Sequence, residues 1–280
     1  MSERTSRKGW KKDSKSLFQR ISKNDIAGLA AQIAYYFLLS VFPLLIFIFT
    51  LLPYLPVEQG DLLGFIRDFA PGETMKMIEE NLSDIMSNRN GGLLSISIIA
   101  TIWSASNGMN AIVKSLNRAY DVDETRSFIV IRLMSIVLTL GMIVVFVVAL
   151  LLPVFGKQIG LFLFSQFGYS DQFMAIWNGI RWAISPLILF IVFVGLYYFA
   201  PSKKIRCLSA IPGAIFATVG WVLASLAFSF YVSSYGNYSA TYGSIGGIIV
   251  LMIWFYLTGI IIMIGGEINA LATEKDDTAC

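Results

Sequence analysis

The sequence predicts an all-α membrane protein, a polytopic helix bundle with about six transmembrane helices. Of its 280 residues, 56% are hydrophobic and only 14% are charged, a balance that water-soluble domains do not show. Residues 207–266 contain no Asp, Glu, Lys or Arg, which leaves room for two spans of about 20 residues with a polar connection between them. Histidine is absent, so the sequence lacks both the commonest zinc ligand and the usual acid–base side chain near neutral pH.

Residues 1–24 form a basic tail, with eight Lys or Arg side chains against Glu3 and Asp13. Apolar side chains are interspersed in it, which predicts a partly amphipathic helix held by anionic cytoplasmic lipid. Nucleic-acid binding is the other interpretation of a basic tail. We expect no nucleic-acid partner, because an excess of positive charge beside a first span is what orients membrane proteins.

Residues 25–271 form the predicted transmembrane domain, and residues 272–280 a short cytoplasmic tail. The six predicted spans cover about residues 26–54, 93–116, 128–155, 173–199, 208–229 and 245–265. Positive charges are concentrated in every second connection, which predicts that both chain termini face the cytoplasm.

The first span begins after Asp25, a residue suited to cap its N-terminus, and Pro43 is expected to kink it. Alanines at four-residue spacing predict close approach by another helix; they are Ala27, Ala30, Ala31 and Ala34. Polar side chains on this span are expected to face the bundle interior rather than lipid. These are Gln32, Tyr35, Tyr36 and Ser40.

The first outer loop, residues 55–90, is acidic and contains a second predicted amphipathic helix. Its apolar side chains repeat at helical spacing, at Met75, Ile78, Leu82 and Ile85. Such a helix either rests on the outer leaflet or covers the mouth of a cavity.

A polar stripe runs through the inner half of the second span. Asn107, Asn110, Lys114 and Asn117 lie three or four residues apart and share one helix face. The stripe is either a hydrogen-bonded seam between helices, worth roughly 1 kcal/mol per contact, or the lining of a path for a polar substrate group.

A tyrosine- and glycine-rich stretch, residues 231–247, leads into the sixth span, which ends near the carboxylate of Glu267. Tyr231, Tyr235, Tyr238 and Tyr242 recur at steps of four, three and four. The glycines there disfavour a regular helix, and irregular backbone in a bilayer must face protein or water. The stretch therefore lines a cavity, or else forms an aromatic belt with small-residue packing.

These landmarks resemble the YihY/virulence factor BrkB family of bacterial inner-membrane proteins, some members of which carry an older ribonuclease BN label. The similar segments are residues 25–43, 103–120 and 235–247, with Trp254, Tyr256, Glu267 and Asn269. The resemblance implies a multi-pass protein of the bacterial cytoplasmic membrane and no securely established reaction.

The first functional hypothesis is a transporter or lipid-handling protein that moves an amphiphilic or lipid-linked substrate between leaflets. Its partners would be membrane lipids and that substrate. The residues expected to line the path are Asp25, Gln32, Tyr36, Asn107, Asn110, Lys114, Tyr235, Tyr242 and Glu267. A carboxylate–ammonium pair among Asp25, Lys114 and Glu267 would hold a closed state, or serve as a structural ion pair.

Two other hypotheses remain open. A membrane scaffold or assembly partner needs no cavity and would use the basic tail and the outer loop as docking surfaces. A ribonuclease, as in the older label, needs clustered ligands or bases. A carboxylate-only magnesium site at Asp121, Asp123 and Glu124 is conceivable, but this acidic run is more simply a solvated loop. We therefore expect no enzyme activity, no catalytic residues, no metal site and no cofactor. The absence of a Gly-rich phosphate loop disfavours ATP hydrolysis by this chain.

Overall fold

A computed structural model of the chain describes residues 17, 19–54, 89–145, 170–203, 205, 207–235 and 245–278. The side chains at 170–182, 207, 233, 235, 245 and 275–278 lie outside the description. So do the predicted outer-loop helix, most of the basic tail, and Tyr238 and Tyr242. The chain divides into two compact units, Met1–Tyr35 with Ser106–Cys280, and Tyr36–Ala105.

The regular structure of the described residues is entirely helical. Helix α1 covers Ile26–Leu51 and ends in a 3₁₀ turn, Leu52–Tyr54. Helices α2, α3 and α4 cover Gly91–Ala119, Phe128–Val145 and Ser170–Phe199. A second 3₁₀ turn, Cys207–Ala210, precedes α5, Ile211–Tyr235, and α6 covers Ile245–Thr278.

These helices have the length and composition of membrane spans. Among the described residues, five segments are long and apolar enough to cross a bilayer, and Ala183–Phe199 of α4 is a shorter apolar helix. The prediction of an all-α, multi-span helix bundle is therefore confirmed. The cytoplasmic location of both termini stays a prediction.

Helix α6 extends past the sixth predicted span, about residues 245–265, and continues without a break to Thr278. Its 34 residues span about 51 Å at 1.5 Å per residue, well beyond a hydrocarbon core of about 30 Å. Glu267 marks the edge of the apolar stretch and not the end of the helix, because the good helix formers Ala270, Leu271, Ala272, Glu274 and Lys275 follow it.

The orientation predicted for Gln32 is wrong. Gln32 and Tyr35 are exposed on α1, whereas the buried positions Ile26, Ala30, Ile33 and Ala34 recur at helical spacing on another face. Of the four alanines expected in a helix contact, Ala30 and Ala34 are buried, while Ala27 and Ala31 are exposed.

Small residues set close helix contacts in the unit formed by residues 1–35 and 106–280, where α5 packs against both α4 and α6. A Cβ added at Gly259 of α6 would lie 3.1 Å from the Cα of Ala30 in α1. A Cβ added at Gly213 of α5 would lie 2.1 Å from the carbonyl oxygen of Gly265 in α6. Backbones can approach this closely only where side chains are minimal.

The other unit, residues 36–105, joins the end of α1 to the start of α2. The Arg89 Nε donates to the carbonyl of Pro53 at 3.1 Å, and the guanidinium lies over the Tyr54 ring. The hydroxyl oxygens of Thr50 and Ser97 are 3.4 Å apart. The Asn90 Oδ1 accepts the backbone N–H of Leu93 at 2.9 Å and so caps the N-terminus of α2.

Candidate functional site

A fully buried carboxylate, Glu267, lies inside α6 directly after two glycines. A Cβ at Gly265 would meet the Tyr197 hydroxyl of α4, and one at Gly266 would lie 2.5 Å from the Leu116 Cδ2 of α2. The glycine pair therefore lets α6 lie close against α2 and α4. It also leaves the carboxylate among helices, with no exposure to solvent.

Glu267 is held by residues 19–24, which precede α1 and are here called the N-terminal segment; residues 19–23 of it are helical. The Asn24 Nδ2 donates to the Glu267 Oε1 at 2.5 Å, and the Arg20 guanidinium lies 3.9 Å from the Glu267 Oε2. That Oε2 has no hydrogen-bond partner among the described residues. The backbone N–H of Asn24 bonds to the Arg20 carbonyl at 2.8 Å, so both side chains lie on one side of the segment.

Arg20 also bonds to the exposed carboxylate of Glu274 and to the carbonyl of Ala119 at 3.4 Å. Among the described residues, the cation that pairs with the buried carboxylate is thus Arg20, and a pair of Lys114 with Asp25 or Glu267 is not among their ion pairs. A charge removed from water is costly unless it is paired and hydrogen-bonded. Arg20 and Asn24 supply those two contacts to Glu267.

Asn269 lies two residues after Glu267 and is also fully buried. Its Oδ1 accepts the backbone N–H of Gly213 at 2.6 Å. Gly213 lies in the first turn of α5, where backbone N–H groups have no partner within the helix. The Asn269 Nδ2 has no hydrogen-bond partner among the described residues.

Tyr197 of α4 completes the buried polar groups around this part of α6. Its hydroxyl donates to the Ile262 carbonyl at 2.9 Å, and the side chain is fully buried. A tyrosine in an apolar run resembles an interfacial belt residue, so its sequence context gives no signal for this contact. The sequence likewise gives no signal for the contacts of Asn24 and Arg20. Both lie in the basic tail, whose charges are explained by the orientation of the first span in the membrane.

The polar stripe of α2 is divided between two environments. Asn107 accepts a hydrogen bond from the Arg132 guanidinium of α3 at 2.6 Å, and Asn117 is buried in a hydrogen-bonded cluster. By contrast, the buried Oδ1 of Asn110 has no hydrogen-bond partner among the described residues. Lys114 is exposed.

The cluster around Asn117 joins the loop after α2 to the loop after α4. The Asn117 Nδ2 donates to Glu124 at 2.7 Å, and its Oδ1 accepts the backbone N–H of Ser202 at 2.7 Å. Arg126 donates to both Glu124 oxygens at 2.7 Å and to the Ala200 carbonyl at 3.2 Å. Hydrogen bonding by the Arg126 guanidinium is the main cause that lowers the pKa of the Glu124 carboxyl.

A polar cavity of about 570 Å³ adjoins this cluster. It is lined by Lys23, Asn24, Lys114, Asn117, Arg118, Asp121, Val122, Asp123 and Glu124. Since Asn24 lines the cavity and donates to Glu267, one side chain separates the cavity from the buried carboxylate. All nine of these residues come from α2, the loop that follows it and the N-terminal segment.

A second cavity, of about 490 Å³, lies between α5 and α6 and is largely apolar. It is lined by Ser225, Phe228, Ser229, Gly247, Val250, Leu251 and Trp254. The Trp254 ring packs against Trp221 and Phe228, with centroids 5.5 Å and 5.3 Å away. This cavity begins about 13 residues before Glu267 on α6, or about 20 Å along the helix.

Of the remaining predicted site residues, Asp25 and Gln32 do not line the polar cavity. Asp25 is exposed, and its Oδ1 accepts the N–H of Gly28 at 3.3 Å, which confirms the predicted cap of α1. Gln32 is exposed on α1, and Tyr36 is half-buried in the other unit. Tyr242 and the side chain of Tyr235 lie outside the described residues. Among the described residues, no group of three or more His, Cys, Asp or Glu side chains could hold a metal ion.

Comparison with known proteins identifies a family. The family model of virulence factor BrkB matches residues 17–279. A Bacillus subtilis protein, described as putative ribonuclease-like protein YfkH, is 58% identical over 93% of this chain and 95% of its own length. A Vibrio campbellii UPF0761 membrane protein is 28% identical over 93% of this chain and 82% of its own length. No solved structure matches. A match that extends over almost every described helix shows that this chain belongs to the virulence factor BrkB family of membrane proteins.

Proposed function

We propose that this protein is a transporter or lipid-handling protein of the bacterial cytoplasmic membrane, with both termini in the cytoplasm, that moves an amphiphile between the leaflets. The observation that carries this proposal is the charged cavity, which one side chain, Asn24, separates from the buried carboxylate of Glu267. Ionisable groups placed inside a membrane bundle are costly and are usually functional.

Two cavities of different character support an amphiphilic substrate. The polar cavity offers charged side chains to a head group, and the cavity beside Trp254 offers aromatic and aliphatic surface. Both volumes lie in the range of small-molecule sites. An amphiphile has one part suited to each environment.

The contacts of the N-terminal segment support a closed state. Asn24, which lines the polar cavity, and Arg20 both contact the carboxylate. Movement of this segment away from α6 would connect the cavity with Glu267. The unpartnered Oδ1 of Asn110 on α2 is a second buried acceptor that a head group would satisfy, as buried polar groups require.

The test is leaflet-to-leaflet movement of an acyl-labelled fluorescent phospholipid in sealed vesicles that contain the purified protein. We expect movement above that of protein-free vesicles, and slower movement for Glu267→Gln, Asn110→Ala and Lys114→Gln. Lys203→Gln is the matched control, because Lys203 is an exposed lysine in the loop after α4 that does not line the polar cavity.

Absence of movement by correctly folded protein would overturn the lipid-moving function and favour a scaffold role. Equal rates for Lys114→Gln, Asn110→Ala and wild type would place the lipid path elsewhere in the bundle. We propose no ribonuclease activity, although one relative carries a ribonuclease-like name. RNA hydrolysis needs clustered bases or metal ligands, and the described residues hold no such metal-binding group.

A further inference from the structure

The polar cavity contains side chains of both charges. Lys114 and Arg118 lie one turn apart on α2, and Lys23 comes from the N-terminal segment. Asp121 and Asp123 come from the loop that follows α2. Three cationic groups and two carboxylates therefore line the same volume of about 570 Å³, in addition to Glu124.

Glu124 is already neutralised. Both of its oxygens accept from Arg126, and one of them also accepts from Asn117. The other five charged side chains of the cavity form no ion pair within 4.0 Å among the described residues. The ion pairs of the described residues are those of Arg20 and Arg126. All five are exposed, and the cavity thus offers a ligand three cations and two carboxylates that have no ion-pair partner among the described residues.

A ligand of one charge would satisfy only part of this set. An anionic head group alone would pair with the lysines and leave two carboxylates without a counter-charge. A cationic group alone would leave three positive side chains unpaired. A phosphate joined to an ammonium supplies both counter-charges at once. A ligand of one charge would lie beside side chains of its own sign, which disfavours its binding.

We propose that the polar cavity selects a zwitterionic head group, a phosphodiester joined to an ammonium as in phosphatidylethanolamine. The phosphate lies against Lys23, Lys114 and Arg118, and the ammonium lies against Asp121 and Asp123. This inference rests on the proposed function, because it takes the cavity as the entry site of the transported amphiphile.

The experiment compares three acyl-labelled probes in sealed vesicles: phosphatidylethanolamine, phosphatidylglycerol and phosphatidic acid. We expect wild type to move the ethanolamine probe fastest. Asp121→Asn with Asp123→Asn should lower the ethanolamine-to-glycerol rate ratio by about fivefold, the order expected for loss of a partly exposed ion pair. Asp121 has a φ of 51° in the left-handed region, and Asn tolerates that conformation well, so the change removes charge with little strain.

Two further variants test the charge itself. Asp123→Glu keeps the carboxylate and should retain the wild-type ratio. Lys114→Gln should slow all three phosphate-bearing probes, whereas Lys203→Gln should leave every rate unchanged. If all three probes move at one rate in wild type and in the double variant, the zwitterion inference is overturned while the proposed lipid movement stands. If no probe moves, the lipid-moving function itself fails.

A phosphodiester joined to an ammonium also occurs in water-soluble molecules. A last experiment therefore distinguishes a soluble ligand from a lipid head group. Radiolabelled glycerophosphoethanolamine is offered to the same vesicles, both as a competitor and as a solute. Uptake of this ester with no lipid movement would assign the zwitterion site to a soluble substrate. If lipid moves with its head-group preference retained, and the ester neither slows that movement nor is itself taken up, the site is assigned to the lipid.

Discussion

The side-chain oxygen of Asn269 accepts the backbone N–H of Gly213 at 2.6 Å, so a residue of α6 caps the first turn of α5. The same close contact sets the Gly213 backbone against the carbonyl of Gly265. A hydrogen bond and a glycine–glycine contact therefore fix α5 against α6 two residues from Glu267. The geometry of the buried carboxylate depends on this contact.

Substitution of Gly213 tests that contact. Gly213→Ala places a Cβ 2.1 Å from the Gly265 oxygen and 2.5 Å from the Asn269 Nδ2. We expect it to lower the free energy of unfolding by about 1–3 kcal/mol, because backbone cannot move aside as a flexible side chain can. Thermal unfolding in detergent measures the change.

Gly195→Ala is the matched control for that experiment, since a Cβ at Gly195 of α4 meets no atom within 4 Å. It should leave stability unchanged or raise it by up to about 1 kcal/mol, the difference between Gly and Ala within a helix. Equal effects of the two substitutions would show that the α5–α6 contact is looser than described.

Removal of the Asn24 carboxamide should destabilise the protein through Glu267. Asn24→Ala takes away the Nδ2 donor at 2.5 Å from a fully buried carboxylate. A hydrogen bond to a charged group is worth about 1.5–3 kcal/mol, and we expect a loss of this order in unfolding experiments. A double-mutant cycle with Glu267→Gln isolates the pair. Additive losses in the cycle would contradict a direct interaction.

Tyr197→Phe should cost about 0.5–1.5 kcal/mol, the net contribution of a typical hydrogen bond. The change removes only the hydroxyl that donates to the Ile262 carbonyl at 2.9 Å. Tyr198→Phe is a control on the next residue, whose side chain is 39% exposed, and it should have little effect. Thermal unfolding of both variants side by side decides the matter, and a Tyr197→Phe protein as stable as wild type would refute the contact.

The ion pair of Glu124 and Arg126 predicts a dependence on pH. Because the pKa of Glu124 is lowered in the folded protein, its contribution is present above the ordinary glutamate pKa and is lost as pH falls through the folded value. Wild type should therefore lose more stability than Glu124→Gln between about pH 7 and about pH 3, which bracket the ordinary glutamate pKa. The difference should be about 1 kcal/mol, since the pair is partly solvated.

Unfolding midpoints of the two proteins across that range provide the measurement. Both share every other titrating group, so the difference between them reports Glu124 alone. Parallel curves for wild type and Glu124→Gln would contradict the lowered pKa.

The apolar runs predicted the helices because a span must be long and uncharged, and the described starts of α1 and α6 agree with that expectation. The end of α6 could not be predicted in this way, since charge marks the membrane edge whereas helix formation depends on the residues that follow. The partner of Glu267 was also inaccessible to spacing arguments. Asn24 lies 243 residues away in the chain, and only the packing of the N-terminal segment against α6 brings the two together.

The uninterrupted course of α6 determines which part can move. Glu267 lies eleven residues before the end of the helix at Thr278, too far inside for fraying of the last turn to release it. Its neighbouring amides are expected to exchange with deuterium slowly, on the scale of global unfolding, whereas the N-terminal segment contacts the carboxylate through two side chains, Arg20 and Asn24. Access to the carboxylate is therefore governed by the opening frequency of the N-terminal segment, and a crosslink between that segment and α6 would keep Glu267 covered.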